Sequence, residues 1–176
     1  NDMAVSAIVA IGVGAAAAEY VGYEALAAWA IDAFTATEAV AAGTATVAEV
    51  TSAGFTIGEL ASAGLTTGEL LAGGGTAAEC LSAFTAAECL AGGYTVPSLI
   101  EAGATIGEIL AGGATVAELV GGGASVAEMA SAGITASEMV GAGMTTGELV
   151  SGGMSLGEIV GSGASTVGDL LLEGYA

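Results

Sequence analysis

Residues 103–122 read GATIGEILAG GATVAELVGG, two ten-residue units that align position by position. In each, a Thr (Thr105, Thr115) stands three residues before a Glu (Glu108, Glu118). That is the spacing of a capping box, in which the hydroxyl and the carboxylate satisfy each other's orphan backbone N–H groups at a helix N-terminus. An apolar residue follows at the fourth helical position (Ile109, Leu119). Gly113 and Gly123 then fall where a left-handed residue ends a helix. Each unit therefore encodes one complete helix of about seven residues, roughly 10 Å long. A helix that short is unstable alone. It must bury its apolar face on its neighbours, which is the logic of a solenoid.

The same grammar extends outward in both directions. It places N-caps at Thr35, Thr46, Thr56, Thr66, Thr76, Thr85, Thr95, Thr105, Thr115, Ser125, Thr135, Thr145, Ser155 and Thr166. The spacing is ten, with a nine from Thr76 to Thr85 and an eleven at each end. The third helical position is acidic from Glu38 to Asp169, with Ser98 the one break, and this column holds 13 of the 19 acids. The fourth position runs Val50, Leu60, Leu70, Cys80, Cys89, Leu99, Ile109, Leu119, Met129, Met139, Leu149, Ile159, Leu170 and is the expected core. Successive helices separated by a Gly turn are expected to reverse direction, which gives about two repeats per coil. A β-solenoid is the rival fold, since Gly, Thr and Val are plentiful. Period-2 alternation is absent, however, and Ala, Leu, Glu and Met favour helix.

Residues 1–34 do not follow the repeat and are read as an apolar helical N-terminal segment; residues 35–176 are the repeat array. Residues 3–18, MAVSAIVAIGVGAAAA, carry no charge but fall short of the ~20 residues a membrane-spanning helix needs. Burial or docking on another subunit is expected of this segment before membrane contact. Tyr20, Tyr23 and Trp29 add an aromatic cluster behind it.

Composition excludes several functions. The chain has no Lys, Arg or His and a net charge of -19. Nothing can neutralise phosphates, which argues against nucleic acid, and anionic membrane surfaces are disfavoured for the same reason. There is no His for acid–base work, no Lys for a Schiff base, no P-loop and no nucleophile elbow. The expectation is a non-enzyme with no cofactor, no metal and no small-molecule substrate. The Glu column invites a calcium reading, but capping accounts for it, and no loop gathers several oxygens as a calcium site requires. Repulsion among the carboxylates is expected to ease between about pH 5 and pH 4, near their reference values. The Thr column suggests ice binding, but an N-cap hydroxyl is already committed to backbone. Cys80 and Cys89 occupy equivalent positions in adjacent repeats; they are either a disulfide or two small core residues.

The unit resembles the decapeptide tandem repeats of the A-G-[FY]-[ST]-x-x-E-L-x-x kind found in bacterial and phage proteins, over about residues 35–172. Those arrays usually carry Lys or Arg in the helix, which this chain lacks. The resemblance implies a repeat scaffold and brings no catalytic or binding residues with it.

The expectation is thus an all-α short-helix solenoid with helix caps at Thr56, Thr66, Thr105, Thr115, Thr135 and Thr145 among others. A soluble solenoid needs polar terminal repeats, yet the chain starts apolar and closes on DLLLEGYA. An assembly interface is expected from Val5, Ile8, Val9, Ile11 and Val13 at one end and Leu170, Leu171 and Leu172 at the other. The partner is a second copy of the chain, in an extracellular or cell-surface homopolymer. The alternative is a virion component or acidic scaffold that holds a basic partner.

Overall fold

The computed structural model of the protein describes residues 33–175. The N-terminal interface positions Val5, Ile8, Val9, Ile11 and Val13, and the aromatics to Trp29, lie outside the described residues. Among the described residues there are fourteen short α-helices and no strand, so the fold is a short-helix solenoid and the β-solenoid is rejected. The chain divides into two compact units at Tyr94/Thr95. The first contains α1 (Ala33–Ala41), α2 (Val47–Ser52), α3 (Ile57–Ser62), α4 (Thr67–Ala72), α5 (Ala77–Leu81) and α6 (Ala86–Ala91). The second contains α7 (Val96–Glu101), α8 (Ile106–Ala111), α9 (Val116–Gly121), α10 (Val126–Ser131), α11 (Ala136–Gly141), α12 (Thr146–Ser151), α13 (Leu156–Gly161) and α14 (Val167–Leu172).

Helices α2 to α14 begin at the N-caps read from the sequence. At α9, Thr115 Oγ1 accepts from the Glu118 N–H at 3.2 Å. The Thr115 N–H and hydroxyl donate back to Glu118 Oε2 at 2.8 and 2.7 Å. The box recurs at every one of these helices except α7, where Ser98 stands in place of Glu and Pro97 occupies the first turn. Thr35 departs from the sequence reading. It lies inside α1, which is already helical at Ala33 and runs across the boundary drawn between residues 34 and 35. The capping rule sees only four residues and cannot tell a first turn from a later one.

Each helix closes on a left-handed glycine, Gly113 (φ +95) and Gly123 (φ +84) among them. An alanine there would meet nothing within 4 Å, so backbone conformation is the only demand for glycine at these sites. Helix α5 is the exception. It is one residue shorter than its neighbours, and its turn runs through Ser82 and Ala83 with no left-handed glycine. The nine-residue spacing from Thr76 to Thr85 is this shortening.

The core is the fourth-position column. From Val50 to Ile159 every member is fully buried, and Leu170 is nearly so. Burying one such Leu or Ile side chain is worth about 1.5–3 kcal/mol, which is what holds helices that are too short to persist alone. Neighbours in the stack are mostly two helices apart: α1 with α3 and α4 with α6 in the first unit; α7 with α9, α9 with α11 and α11 with α13 in the second. Each coil therefore contains about two repeats.

One contact sets the distance between coils. The first residue of a helix packs against the C-cap residue of the helix two further on. A Cβ on Gly122, the C-cap of α9, would stand 3.1 Å from Val96 Cγ1 on α7. A Cβ on Gly152, the C-cap of α12, would press on Val126 Cβ and lie 2.6 Å from its Cγ2 on α10. In the first unit Gly73 meets Val47 in the same way, and the Val47 N–H donates to the Gly73 carbonyl at 2.9 Å. Thr67 Oγ1 likewise donates to the Glu88 carbonyl at 2.9 Å, two helices on. The Val47 bond satisfies a first-turn N–H that has no partner within its own helix, whereas the Glu88 carbonyl also accepts from the Gly92 N–H at 2.9 Å. Tyr94 adds a buried tie: its hydroxyl donates to the Gly75 carbonyl at 2.9 Å.

Candidate functional site

Three features could carry function: the carboxylate column, the cysteine pair and the open end of the stack.

The carboxylates are exposed, and capping engages them. At Glu118 the backbone N–H of Thr115, and then its hydroxyl, hold the carboxyl below the ordinary carboxylate value. At Glu108 the Thr105 hydroxyl contributes most, followed by the Thr105 N–H. Both bonds favour the ionised acid. Protonation therefore sets in at lower pH than the reference values suggest, and the pH 5 to pH 4 window expected from sequence moves down. Among the described residues no three Cys, Asp or Glu side chains gather as a group able to hold a metal ion.

Cys80 and Cys89 are bonded, with Cα atoms 6.1 Å apart. They occupy the fourth position of α5 and α6, so the bond crosses the buried core between two successive helices. Fourth-position side chains of adjacent repeats therefore point at one another. That direction is what makes one column in the sequence a shared core in space. Closing a loop with a sequence separation of 9 stabilises the folded state by about 2.5–3 kcal/mol on the chain-entropy account.

The open end lies on α13 and α14. The first helical residues Val47, Val96, Ile106 and Val126 are all buried by the stack. The same position in the last two helices is uncovered: Leu156 is 36% exposed and Val167 61%. Leu171 and Leu172 extend this surface at 57% and 88% exposure. Leu170, named with them from the sequence, is instead 4% exposed. It is the fourth-position residue of its helix and so belongs to the core beneath the patch. Leu156, Val160, Val167, Leu171 and Tyr175 line a groove of about 450 Å³ over it. Sequence reading missed Leu156, Val160, Val167 and Tyr175. Leu156 and Val167 were legible only as first-position residues of their helices.

No helix among the described residues is long and apolar enough to cross a membrane. The caps Thr56, Thr66, Thr105, Thr115, Thr135 and Thr145 all sit on exposed helix ends, each bonded to its own Glu.

The fold and its repeat define a class of short-helix repeat proteins. Residues 93–166 match the family described as the decapeptide repeat region, so the chain carries a decapeptide repeat array. The capping boxes continue that pattern upstream to Thr46. No curated protein and no solved structure matches the chain.

Proposed function

We propose that the protein is a structural, self-assembling repeat protein of bacterial or phage origin, the subunit of an extracellular or cell-surface homopolymer, and that it is not an enzyme. The observation that carries this reading is the open stacking surface on α13 and α14. Elsewhere in the second unit the first helical position is at least half covered by the stack. Here Leu156, Val167, Leu171 and Leu172 face solvent with no polar residues over them. Exposed apolar patches of this kind mark interaction sites. Covering them with another copy joins two different surfaces, and repeated joining of that sort produces open filaments unless it closes into a ring. The buried Cys80–Cys89 bond supports the location, since disulfides persist in oxidising compartments. Residues 3–18, apolar and uncharged, are the proposed partner of this surface on the neighbouring subunit.

Electron microscopy of the purified full chain tests the proposal. Filaments or other large homopolymers are expected, and Leu171→Asp should abolish them by placing an unpaired charge in a buried contact. Removing residues 1–32 should also stop growth while the repeats stay folded. Discrete particles that bind a basic protein but never polymerise would favour the acidic-scaffold reading. Filaments of the truncated chain identical to those of the full chain would remove the N-terminal segment from the mechanism.

A further inference from the structure

We infer that the Cys80–Cys89 bond is a redox-controlled latch. It holds shut a joint that the repeat's own devices do not secure, so that α5 and α6 open locally when the bond is absent. The inference goes beyond self-assembly and stands whether or not the chain polymerises. It starts from what ends the other helices. At α9 the Ala124 N–H donates to the Leu119 carbonyl at 3.0 Å and the Gly123 N–H to the Val120 carbonyl at 3.2 Å. That pair of bonds around a left-handed glycine is a Schellman motif. Among the described residues α5 is the one helix with no left-handed glycine after it. The shorter-range bond of the motif survives there, from the Ala83 N–H to the Cys80 carbonyl at 3.1 Å. The longer-range one does not. The Phe84 N–H turns to that same Cys80 carbonyl at 2.8 Å, and the Glu79 carbonyl takes the Ser82 N–H and hydroxyl instead.

The packing at the same joint is thin. The first helical position, filled by Val47, Ile57, Val96, Ile106 and Val126 in other helices, is Ala77 in α5 and Ala86 in α6. The residue before the cap is Gly75 at α5, where Leu65 stands at α4. Two cysteines then take the fourth position, which Leu60, Leu70, Leu99 and Ile109 fill elsewhere. Apolar stabilisation grows with the area removed from water, so alanine and cysteine hold this joint less firmly than valine and leucine hold the others. The missing motif and the thin packing coincide with the disulfide, which spans this turn with a sequence separation of 9. Both cysteines are fully buried, so the latch is set while the chain folds or the joint is open. Release is thiol–disulfide exchange. One thiolate of a dithiol attacks one sulfur, its second thiolate displaces the mixed disulfide, and the dithiol leaves as a cyclic disulfide while Cys80 and Cys89 become thiols. Folded where thiols are oxidised, the array closes along its length; folded where they stay reduced, it closes everywhere but at α5 and α6.

Native-state hydrogen exchange of the full chain, read by mass spectrometry on its peptides, tests the latch. One sample is oxidised; the other is unfolded, reduced with dithiothreitol and refolded in it. Amides of α5 and α6 should exchange about a hundredfold faster in the reduced chain, the factor by which closing a loop of this length disfavours the open state. Amides of α9 to α11 should be unchanged, because contacts in a solenoid are mainly between neighbours. A protease that cuts after Glu gives a second reading. The reduced chain should be nicked first after Glu79 or Glu88, although the same capping Glu recurs along the array. Cys80→Ala/Cys89→Ala should behave as the reduced chain with or without dithiothreitol, which separates loss of the bond from any other action of the reagent. Faster exchange spread evenly over all helices, or a reduced chain that does not refold, would make the bond a staple of the whole array and overturn the latch. Equal exchange of α5 and α6 in the two samples would show that the turn closes unaided and would overturn it as well.

Discussion

Gly121, Gly123 and Gly152 lie within four repeats of one another, and the structure assigns each a different physical role. Gly121 is the last residue of α9, and an alanine there would meet nothing within 4 Å. Substituting it should stabilise the protein by about 0.5–1 kcal/mol, the helix-propensity difference between Ala and Gly. Gly123 also has open space around it but sits at φ +84. Gly123→Ala should cost about 1–2 kcal/mol from left-handed backbone alone. Gly152 has an ordinary φ of -81, so alanine fits its backbone. Its Cβ, however, would lie 2.6 Å from Val126 Cγ2. Carbon atoms settle at about 3.5–4.0 Å, so α10 and α12 must separate by about an ångström or Val126 must leave its rotamer. Overpacking of that kind costs about 1–3 kcal/mol. Equilibrium urea unfolding at low protein concentration, followed by circular dichroism, should therefore rank Gly121→Ala above wild type, with Gly123→Ala and Gly152→Ala below. Wild-type stability in Gly152→Ala would refute the contact between C-cap and first helical residue. A destabilised Gly121→Ala would mean that this helix face is covered.

Other expectations follow from the caps, the carboxylates and the disulfide. Thr115→Ala should cost about 1 kcal/mol, whereas Thr95→Ala should cost less, because the Thr95 hydroxyl has no Glu partner and accepts a long 3.4 Å bond from the Ser98 N–H. Installing the missing acid with Ser98→Glu should raise stability by a few tenths to about 1 kcal/mol in the same unfolding assay. Capping carboxyls such as Glu108 and Glu118 are held below their unfolded value, so their contribution is present above the ordinary carboxylate pKa and is lost as pH falls through the lowered folded values. Urea midpoints should stay level down to about pH 5 and drop below it; a midpoint that rose on acidification would show that charge repulsion outweighs capping. The Cys80–Cys89 bond is fully buried, so it should resist reductant under native conditions and yield only when the chain is partly unfolded. Once reduced, stability should fall by about 2.5–3 kcal/mol. Rapid native reduction, read by thiol alkylation and mass, would contradict this burial.

The short-range grammar of this chain was legible without coordinates because it is short-range physics. A capping box joins residues three apart, a left-handed glycine is a property of one residue, and a fourth-position apolar side chain has one inward direction. Thr115, Glu118, Leu119 and Gly123 could thus be assigned roles from their spacing, and the repeat then placed the next helix. The same locality explains the failure at Thr35, where the four-residue pattern recurs inside a helix already under way. What the repeat could not decide depends on residues brought together from different coils. It left the partnership of Cys80 and Cys89 open, because column equivalence does not give the direction across the core. It grouped Leu170 with Leu171 and Leu172, although only the last two are exposed. Gly121 and Gly152 look interchangeable in sequence, yet only the second faces a valine two helices away. Leu156 and Val167 became the open surface for the same reason: burial of a first helical residue is supplied by a later coil, a contact that no single decapeptide contains.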